Sequence, residues 1–377
     1  MQAEFETPWC RLMLSRYPDE GDRELRAFDA ADHYALEQLS AIFTGPGQPA
    51  RDKRILILND SFGALALALR ESDPVSVGDS WLAQEAARRN AASNQLTPPQ
   101  LYSDLEAPQQ PVDVVLWRLP KTLAYMQDQL GLIRACAGPD TLVLAIGMVK
   151  HWSNGHFKVL QQLGEVQLGL AKRKARVVQV KLTQPASGAY QFGLSHYEVA
   201  EYGWRLGEHS NVFSRGSLDI GSRVLLQHLQ LEEGLRVADL GCGNGVLGLR
   251  ALGLQPSSAL SFHDESFMAL ASAKHNLMHN LGPQCEAQFS IGDGLQGVEA
   301  GSFDLILNNP PFHQQQVVGD FIARRMFRQA AKALAPGGRL WVIGNRHLGY
   351  HQSLKQQFRQ VRQLAATPKF VLLEAEK

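Results

Sequence analysis

The chain has 377 residues, more than a single hydrophobic core usually organises, so two domains are expected. Its composition, 45% hydrophobic and 20% charged, is that of a soluble globular protein, and no apolar run reaches the length of a membrane span. Lys and Arg number 37, as do Asp and Glu, and this zero net charge excludes a broadly basic nucleic-acid clamp.

The N-terminus, Met1-Gln2-Ala3-Glu4-Phe5-Glu6, is acidic and lacks a signal-peptide core. Cys10, Cys136, Cys242 and Cys285 form no CxxC pair and no zinc spacing, so a reduced cytoplasm, no structural metal and no membrane are expected. Further along come the apolar strand Ile55–Leu58, then Val75-Ser76-Val77-Gly78-Asp79, then a strand opening on Asp113. Any RNA contact must use local patches, and Lys172-Arg173-Lys174-Ala175-Arg176 is the densest. A strand over Arg176–Leu182 leads to the breaker cluster Gln184-Pro185-Ala186-Ser187-Gly188. Alternation over Tyr190–Val199 and Tyr202–Leu206 predicts a hairpin opening a second domain, followed by a helix from Leu218 to about Leu231.

The second half repeats the order of the first. Arg236–Leu240, then Leu260–Asp264, then Asp304–Leu307 follow one another as the three earlier strands do. Arg88-Arg89-Asn90 with Asn94 parallels Lys274-His275-Asn276 with Asn280, and DVVLWRLPK from Asp113 parallels DLILNNPPF from Asp304. Short apolar strands alternating with helices indicate parallel α/β sheets. The expected architecture is two tandem Rossmann-like α/β domains from an internal duplication, over residues 1–188 and 189–377. The first copy is degenerate: Leu58-Asn59-Asp60-Ser61-Phe62-Gly63 stands where the second has Leu240-Gly241-Cys242-Gly243-Asn244-Gly245, and Trp117-Arg118-Leu119-Pro120 where the second has Asn308-Asn309-Pro310-Pro311. It keeps a fold without chemistry, available for binding.

Gly241, Gly243, Asn244 and Gly245 join a strand to a helix start, where glycines admit close approach of a ligand and the helix offers unpaired N–H groups. Gly243 to Gly248 also satisfies the dinucleotide fingerprint G-x-G-x-x-G, with Asp264 about 20 residues on, so a dehydrogenase is a rival. Asp239 argues against it. A carboxylate is poorly placed beside a pyrophosphate and suits a ligand with an ammonium and a sulfonium, such as S-adenosylmethionine. Asp264 and Glu265 can take the ribose hydroxyls, and Asp293 can take the adenine amine.

Asn309-Pro310-Pro311-Phe312 carries the chemistry. An exocyclic amine on a nucleobase is a poor nucleophile because its lone pair is delocalised. The Asn309 side-chain carbonyl and the Pro310 backbone carbonyl can each accept one N–H, which holds the nitrogen and offsets developing positive charge. Phe312 offers a face for a flipped-out base. Phe213 and Arg215 would face the substrate, and Asn309 also borders the cofactor. His313, His347 and His351 have no triad or metal spacing and read as surface or RNA-facing residues.

On these motifs, together with Asn211-Val212-Phe213-Ser214-Arg215, His313-Gln314-Gln315 and Asn345-Arg346-His347-Leu348, the whole chain resembles the bacterial ribosomal RNA guanine-N2 methyltransferases. The latter two stretches favour the large-subunit branch over the small-subunit one. The resemblance implies S-adenosylmethionine as donor, one guanine of 23S rRNA as substrate, a cytoplasmic location, and RNA binding by the N-terminal copy. A monomer is expected. An adenine-N6 or protein-glutamine methyltransferase shares the Asn-Pro-Pro-aromatic device, and a non-catalytic RNA-binding or assembly factor is the alternative outside catalysis.

Overall fold

A computed structural model describes residues 2–19, 25–43, 50–183, 188–311 and 318–377. The chain separates into two compact units, residues 1–192 and 193–377. The boundary falls after Phe192, four residues beyond the expected join at 188/189; Gln184–Ser187 of the turn-rich cluster lie outside the described residues.

The first unit contains β1 (Gln2–Glu6), β2 (Arg11–Ser15), α1 (Ala30–Ile42), β3 (Ile55–Leu58), α2 (Ala64–Ala68), β4 (Val75–Val77), α3 (Trp81–Ser93), β5 (Gln100–Tyr102), β6 (Val112–Arg118), α4 (Leu123–Cys136), β7 (Ala137–Met148), α5 (Asn154–Gln161), β8 (Gly164–Leu168) and β9 (Ala175–Leu182). The second contains β10 (Ser195–Val199), β11 (Trp204–Glu208), α6 (Ile220–His228), β12 (Arg236–Leu240), α7 (Val246–Leu254), β13 (Ala259–Asp264), α8 (Phe267–Leu281), β14 (Gln288–Ile291), β15 (Phe303–Asn308), α9 (Val318–Ala333), β16 (Leu334–Asn345), α10 (Tyr350–Lys355), β17 (Gln360–Ala366) and β18 (Phe370–Glu376).

Each unit builds a seven-stranded sheet in the same order, β5-β4-β3-β6-β7-β9-β8 and β14-β13-β12-β15-β16-β18-β17. Five neighbouring strands run parallel, β18 and β9 run antiparallel to them, and the edge strands β17 and β8 pair antiparallel with β18 and β9, so that they point the same way as the first five. The central strands read as continuous apolar runs because both faces are covered, as Ile55–Leu58, buried throughout, illustrates. Each unit also carries a small antiparallel hairpin outside its sheet, β1-β2 and β10-β11.

The two units repeat individual bonds as well as topology. Arg54 meets Asp113 through its backbone N–H and guanidinium, and Arg236 meets Asp304 the same way. Asn94 exchanges two hydrogen bonds with the backbone of Met13, and Asn280 does so with Arg205. Asn90 closes on Ser15 and the carbonyl of Phe62; Asn276 closes on Gly207 and the carbonyl of Asn244. Gly63 and Gly245 both have φ near +80°, and a Cβ on either would stand 2.7 Å from the Cβ of an alanine, Ala87 or Ala273. Only glycine allows both the left-handed turn and that approach.

One alignment read from the sequence shifts by a residue. The register pairs Leu58 with Val77 and Leu240 with His263, so Gly78, not Asp79, stands at the level of Asp264. The strand-ending aspartates are therefore not equivalent. Asp79 lies one residue further, before the helix-capping Ser80, as Glu265 lies before Ser266.

The buried Asn276 carboxamide makes three backbone bonds between α8, the β10-β11 hairpin and the glycine loop. Asn276→Ala is expected to destabilise the second unit by roughly 2–4 kcal/mol, because three buried backbone groups lose their partner. Asn280→Ala, at the exposed edge of the same hairpin, is expected to cost about 1 kcal/mol or less. Denaturant unfolding of the two variants checks the order.

Candidate active site

The candidate site lies at the C-terminal ends of β12, β13 and β15, where parallel sheets of this kind bind ligands. After β12 the chain turns through Gly241, Gly243 and Gly245, with φ of +68°, +54° and +80°, into the N-terminus of α7. Asp239, the penultimate residue of β12, is fully buried. Its Oδ2 accepts the N–H of Gly248 at 2.9 Å, and its Oδ1 has no partner. Burial pushes its carboxyl up to about 8, the Gly248 N–H opposes this, and the charge of Asp264 adds to it.

Asp264 ends β13. It accepts the N–H of Gly243 at 2.9 Å and of Ser266 at 3.0 Å, so it braces the glycine loop. Desolvation raises its pKa against these bonds. Glu265 beside it is half-buried. The Asn244 side chain is directed elsewhere: its Nδ2 donates to Glu208 Oε1 at 2.7 Å and to the Tyr197 hydroxyl at 3.1 Å. Glu208, itself fully buried and raised in pKa by burial, also accepts the N–H of Gly216 at 2.8 Å. The glycine loop and the segment carrying Phe213 and Arg215 are thereby tied to one carboxylate. Phe213 and Arg215 are both exposed, and Arg215 donates to Ser195 Oγ at 3.0 Å. Asp293 is buried, with its carboxylate paired to Arg325 and its backbone carbonyl to Gln329.

At the end of β15, Asn308 Nδ2 donates to the Leu240 carbonyl at 2.7 Å. Asn309 Nδ2 donates to Asp219 Oδ2 at 3.0 Å and to Ser222 Oγ at 2.9 Å. Asp219 is the N-cap of α6, which starts two residues later than the expected helix because the Asp219 carboxylate also accepts the N–H of Ser222. Since a carboxylate only accepts, the amide of Asn309 is fixed with nitrogen toward α6 and oxygen away. That oxygen is buried and unpartnered, as are Oδ1 of Asn308 and of Asn345 at the end of β16. Pro310 is buried next to it; Phe312, like His313, lies outside the described residues. His347 and His351 are exposed.

The first unit fills the same region with its own side chains. Asp60, where the second unit has Cys242, accepts the N–H groups of Ala64, Leu65 and Ala66 at the start of α2. Gln129 bonds Asn59, Asp104 and the Trp117 indole. Arg118, at the position of Asn309, pairs with Asp29 and Asp32, which hold the places of Asp219 and Ser222. Among the described residues, every buried side-chain oxygen without a partner belongs to the second unit. Also among them, no group of three or more His, Cys, Asp or Glu side chains could hold a metal, and no helix is long and apolar enough to cross a membrane.

The structure brings the glycine loop, Asp239, Asp264 and Asn309 to the ends of neighbouring strands, while Glu208 and the Asp219–Ser222 pair were not singled out from the sequence. An Asp followed three residues later by Ser at a helix start was the available signal for the latter.

Residues 203–374 match the methyltransferase small domain model and residues 2–184 the RLMG N-terminal domain model. The chain is 45% identical over 376 residues to the ribosomal RNA large subunit methyltransferase G of Pseudomonas putida (strain W619), covering 98% of this chain and 99% of that one. It is 46% identical over 378 residues to the protein of that name from Pseudomonas aeruginosa (strain UCBPP-PA14), covering 99% of each. In fold it is similar to the T. thermophilus 16S rRNA N2 G1207 methyltransferase (RsmC), solved in complex with AdoMet and guanosine, with a TM-score of 0.76 and 23% identity over 100% of this chain and 98% of that one.

The raised pKa of Asp239 has a stability consequence. An unfolded aspartyl ionises near 4, whereas the folded one holds its proton up to about 8, so the stability it contributes is complete below about pH 4 and lost as pH rises through 8. Asp239→Asn carries no such loss. Its melting temperature is expected to exceed that of the parent by several degrees at pH 8.5, with the gap closing toward pH 5. Parallel melting curves across that range would refute the buried-proton account.

Proposed function

Since this chain belongs to the ribosomal RNA large subunit methyltransferase G family, we propose that it transfers a methyl group from S-adenosylmethionine to the exocyclic N2 amine of one guanine in 23S ribosomal RNA. The observation that carries this reading is the Asn309 amide, pinned through its nitrogen with a buried oxygen left over. A planar amine presents N–H donors and needs such an acceptor. The structural neighbour's AdoMet and guanosine are the same chemical pair.

The residues present suit S-adenosylmethionine. A Cβ on Gly243 would meet nothing within 4 Å, so the loop surface there is open to a ligand. Asp239 Oδ1 is buried without a partner in the protein and can accept a bond from the ligand, and Asp264 and Glu265 are assigned to the ribose hydroxyls. Asn244 supports this from behind, holding the loop against Glu208. Asp293, paired with Arg325, is assigned to the adenine amine. When bound, the cofactor supplies an electrophilic methyl on a sulfonium.

The chain's own residues do the rest. Asn309 Oδ1 accepts one N–H of the amine, and the Pro310 carbonyl, restrained between two prolines, accepts the other. Both bonds strengthen as nitrogen loses its conjugation and gains positive charge. Asp219 and Ser222 hold Asn309 so that this acceptor does not have to reorganise during the reaction. Phe312 is assigned to stacking of the base, and Phe213 and Arg215 to the RNA around it.

On this reading residues 189–377 form the catalytic domain. Residues 1–188 are a degenerate copy from an internal duplication, supported by the shared strand order and the repeated Asn and Arg–Asp bonds. That copy serves RNA binding. The site draws on one chain, so a monomer suffices, and the substrate places the protein in the cytoplasm.

The test is methyl transfer from labelled S-adenosylmethionine to 23S rRNA lacking the modification, with the product nucleoside identified by mass spectrometry. N2-methylguanosine is expected. N6-methyladenosine, or label in protein glutamine, would overturn the substrate, and binding of NAD in place of S-adenosylmethionine would overturn the cofactor. Asn309→Ala is expected to lower kcat by about a hundredfold or more, the loss typical of a preorganised transition-state hydrogen bond. A variant as active as the parent would remove Asn309 from the chemistry.

A further inference from the structure

The first unit is neutral overall but its charge is unevenly placed. Of the 20 Lys and Arg in residues 1–190, seven fall within 150–182, a span holding one of the 21 Asp and Glu, Glu165. The fold gathers four of those cations. Lys172, Arg173 and Lys174 form the turn before β9, and the Lys174 carbonyl accepts the N–H of Val149 at 2.8 Å, which brings the turn beside exposed Lys150 at the end of β7. Glu37 meets Lys172 and Arg173, one carboxylate against two cations. The side chains of Lys172 and Arg173 remain 50% and 60% exposed, and Lys174 is exposed.

The turn's backbone gives a second, independent reason to look here. Lys172 and Ala175 exchange both N–H···O bonds at 2.9 Å, which makes Arg173 and Lys174 the two central residues of a two-residue hairpin turn. Both have left-handed φ, +50° and +62°. Such turns select Asn-Gly, because side chains beyond Asn strain the left-handed region. Two long cations occupy positions where they cost stability, and strain of this sort persists where a site requires it.

We propose that the Lys172–Lys174 turn, with Lys150, is a phosphate-backbone contact for the rRNA substrate. The inference rests on the rRNA reading above and gives the N-terminal unit a definite surface for it. Clustered, exposed Lys and Arg fit phosphates, which fix the position of the RNA without reading its sequence. Leu170, 87% exposed beside the turn, adds an apolar rim that a ribose can cover.

Two variants of the full chain test it, with unmodified 23S rRNA as the probe. Lys150→Ala/Arg173→Ala/Lys174→Ala is expected to bind about tenfold more weakly near 0.1 M salt, with the logarithmic salt dependence shallower by about two. Arg173→Asn/Lys174→Gly relieves the strain. It is expected to melt at or above the parent temperature while still binding rRNA more weakly, a combination that a merely structural turn does not produce. In both, the KM for rRNA rises and kcat at saturation stays within about twofold. Parent affinity and salt slope in both variants, or a fall in kcat at unchanged KM, would overturn the contact while leaving the activity in place. A parent chain that methylates no rRNA would take down the functional reading and this inference together.

Discussion

The second unit is organised around one buried carboxamide. Asn276 has no exposed surface, and its two polar atoms hold the β10-β11 hairpin at Gly207 and the glycine loop at Asn244. Those groups have no ladder to join, and a buried backbone polar group left unpaired is costly. The amide therefore fixes where the loop sits before any ligand arrives. Gly245 lies one residue beyond, against Ala273 of the same helix, so the loop is seated by a hydrogen bond and by a contact that admits no side chain. Glu208 extends this outward, joining Asn244 to Gly216. The glycine loop and the segment carrying Phe213 and Arg215 are set by the same few atoms.

What separates the two units is polar satisfaction, not architecture. In the first, carboxylates and amides at the ends of β3 and β6 are consumed internally: Asp60 by a helix N-terminus, Gln129 by three neighbours, Arg118 by two aspartates. In the second, Asp239, Asn308, Asn309 and Asn345 each keep a buried oxygen with nothing to accept from. A folded protein sustains several such oxygens near one another only at a cost, and a ligand with donors removes that cost. The raised pKa of Asp239 has the same origin, since burial without a counter-charge favours the neutral acid.

The fold was legible because its signals are local and repeated. Apolar strands, glycines before helices, and the Asn90/Asn94 and Asn276/Asn280 pairs all survive in short windows of sequence. The residues that prepare the site were not legible for the opposite reason. Asp219 and Ser222 act on Asn309 across about 90 residues of chain, and Glu208 acts on Asn244 across 36, so no periodicity or spacing ties them together. Asn244 shows the limit from the other side: its place in the glycine loop pointed to the cofactor, while its side chain is spent on the hairpin. The misaligned aspartates have a simpler cause. A strand pattern does not fix register to a single residue, and the hydrogen-bonded ladder does.

The two units carry paired clamps, Asp219–Asn309–Ser222 and Asp29–Arg118–Asp32, in the same frame. On the duplication proposed above, exchanging the amide for a guanidinium adds a buried positive charge, which is tolerable only beside matching negative charge. Asp29, retained at the N-cap position, supplies one carboxylate, and Asp32 in place of serine supplies the other. Asp32 is held near 6, raised by burial and lowered by Arg118, as expected of a carboxyl whose charge depends on that one partner. The guanidinium has only donors, so an acceptor for an incoming amine no longer exists there. An asparagine at position 118 alone would strand Asp32 beside Asp29, so the guanidinium and its two carboxylates hold one another in place. On that proposal the first unit is free to change elsewhere, and the turn before β9 is where its exposed cations cluster.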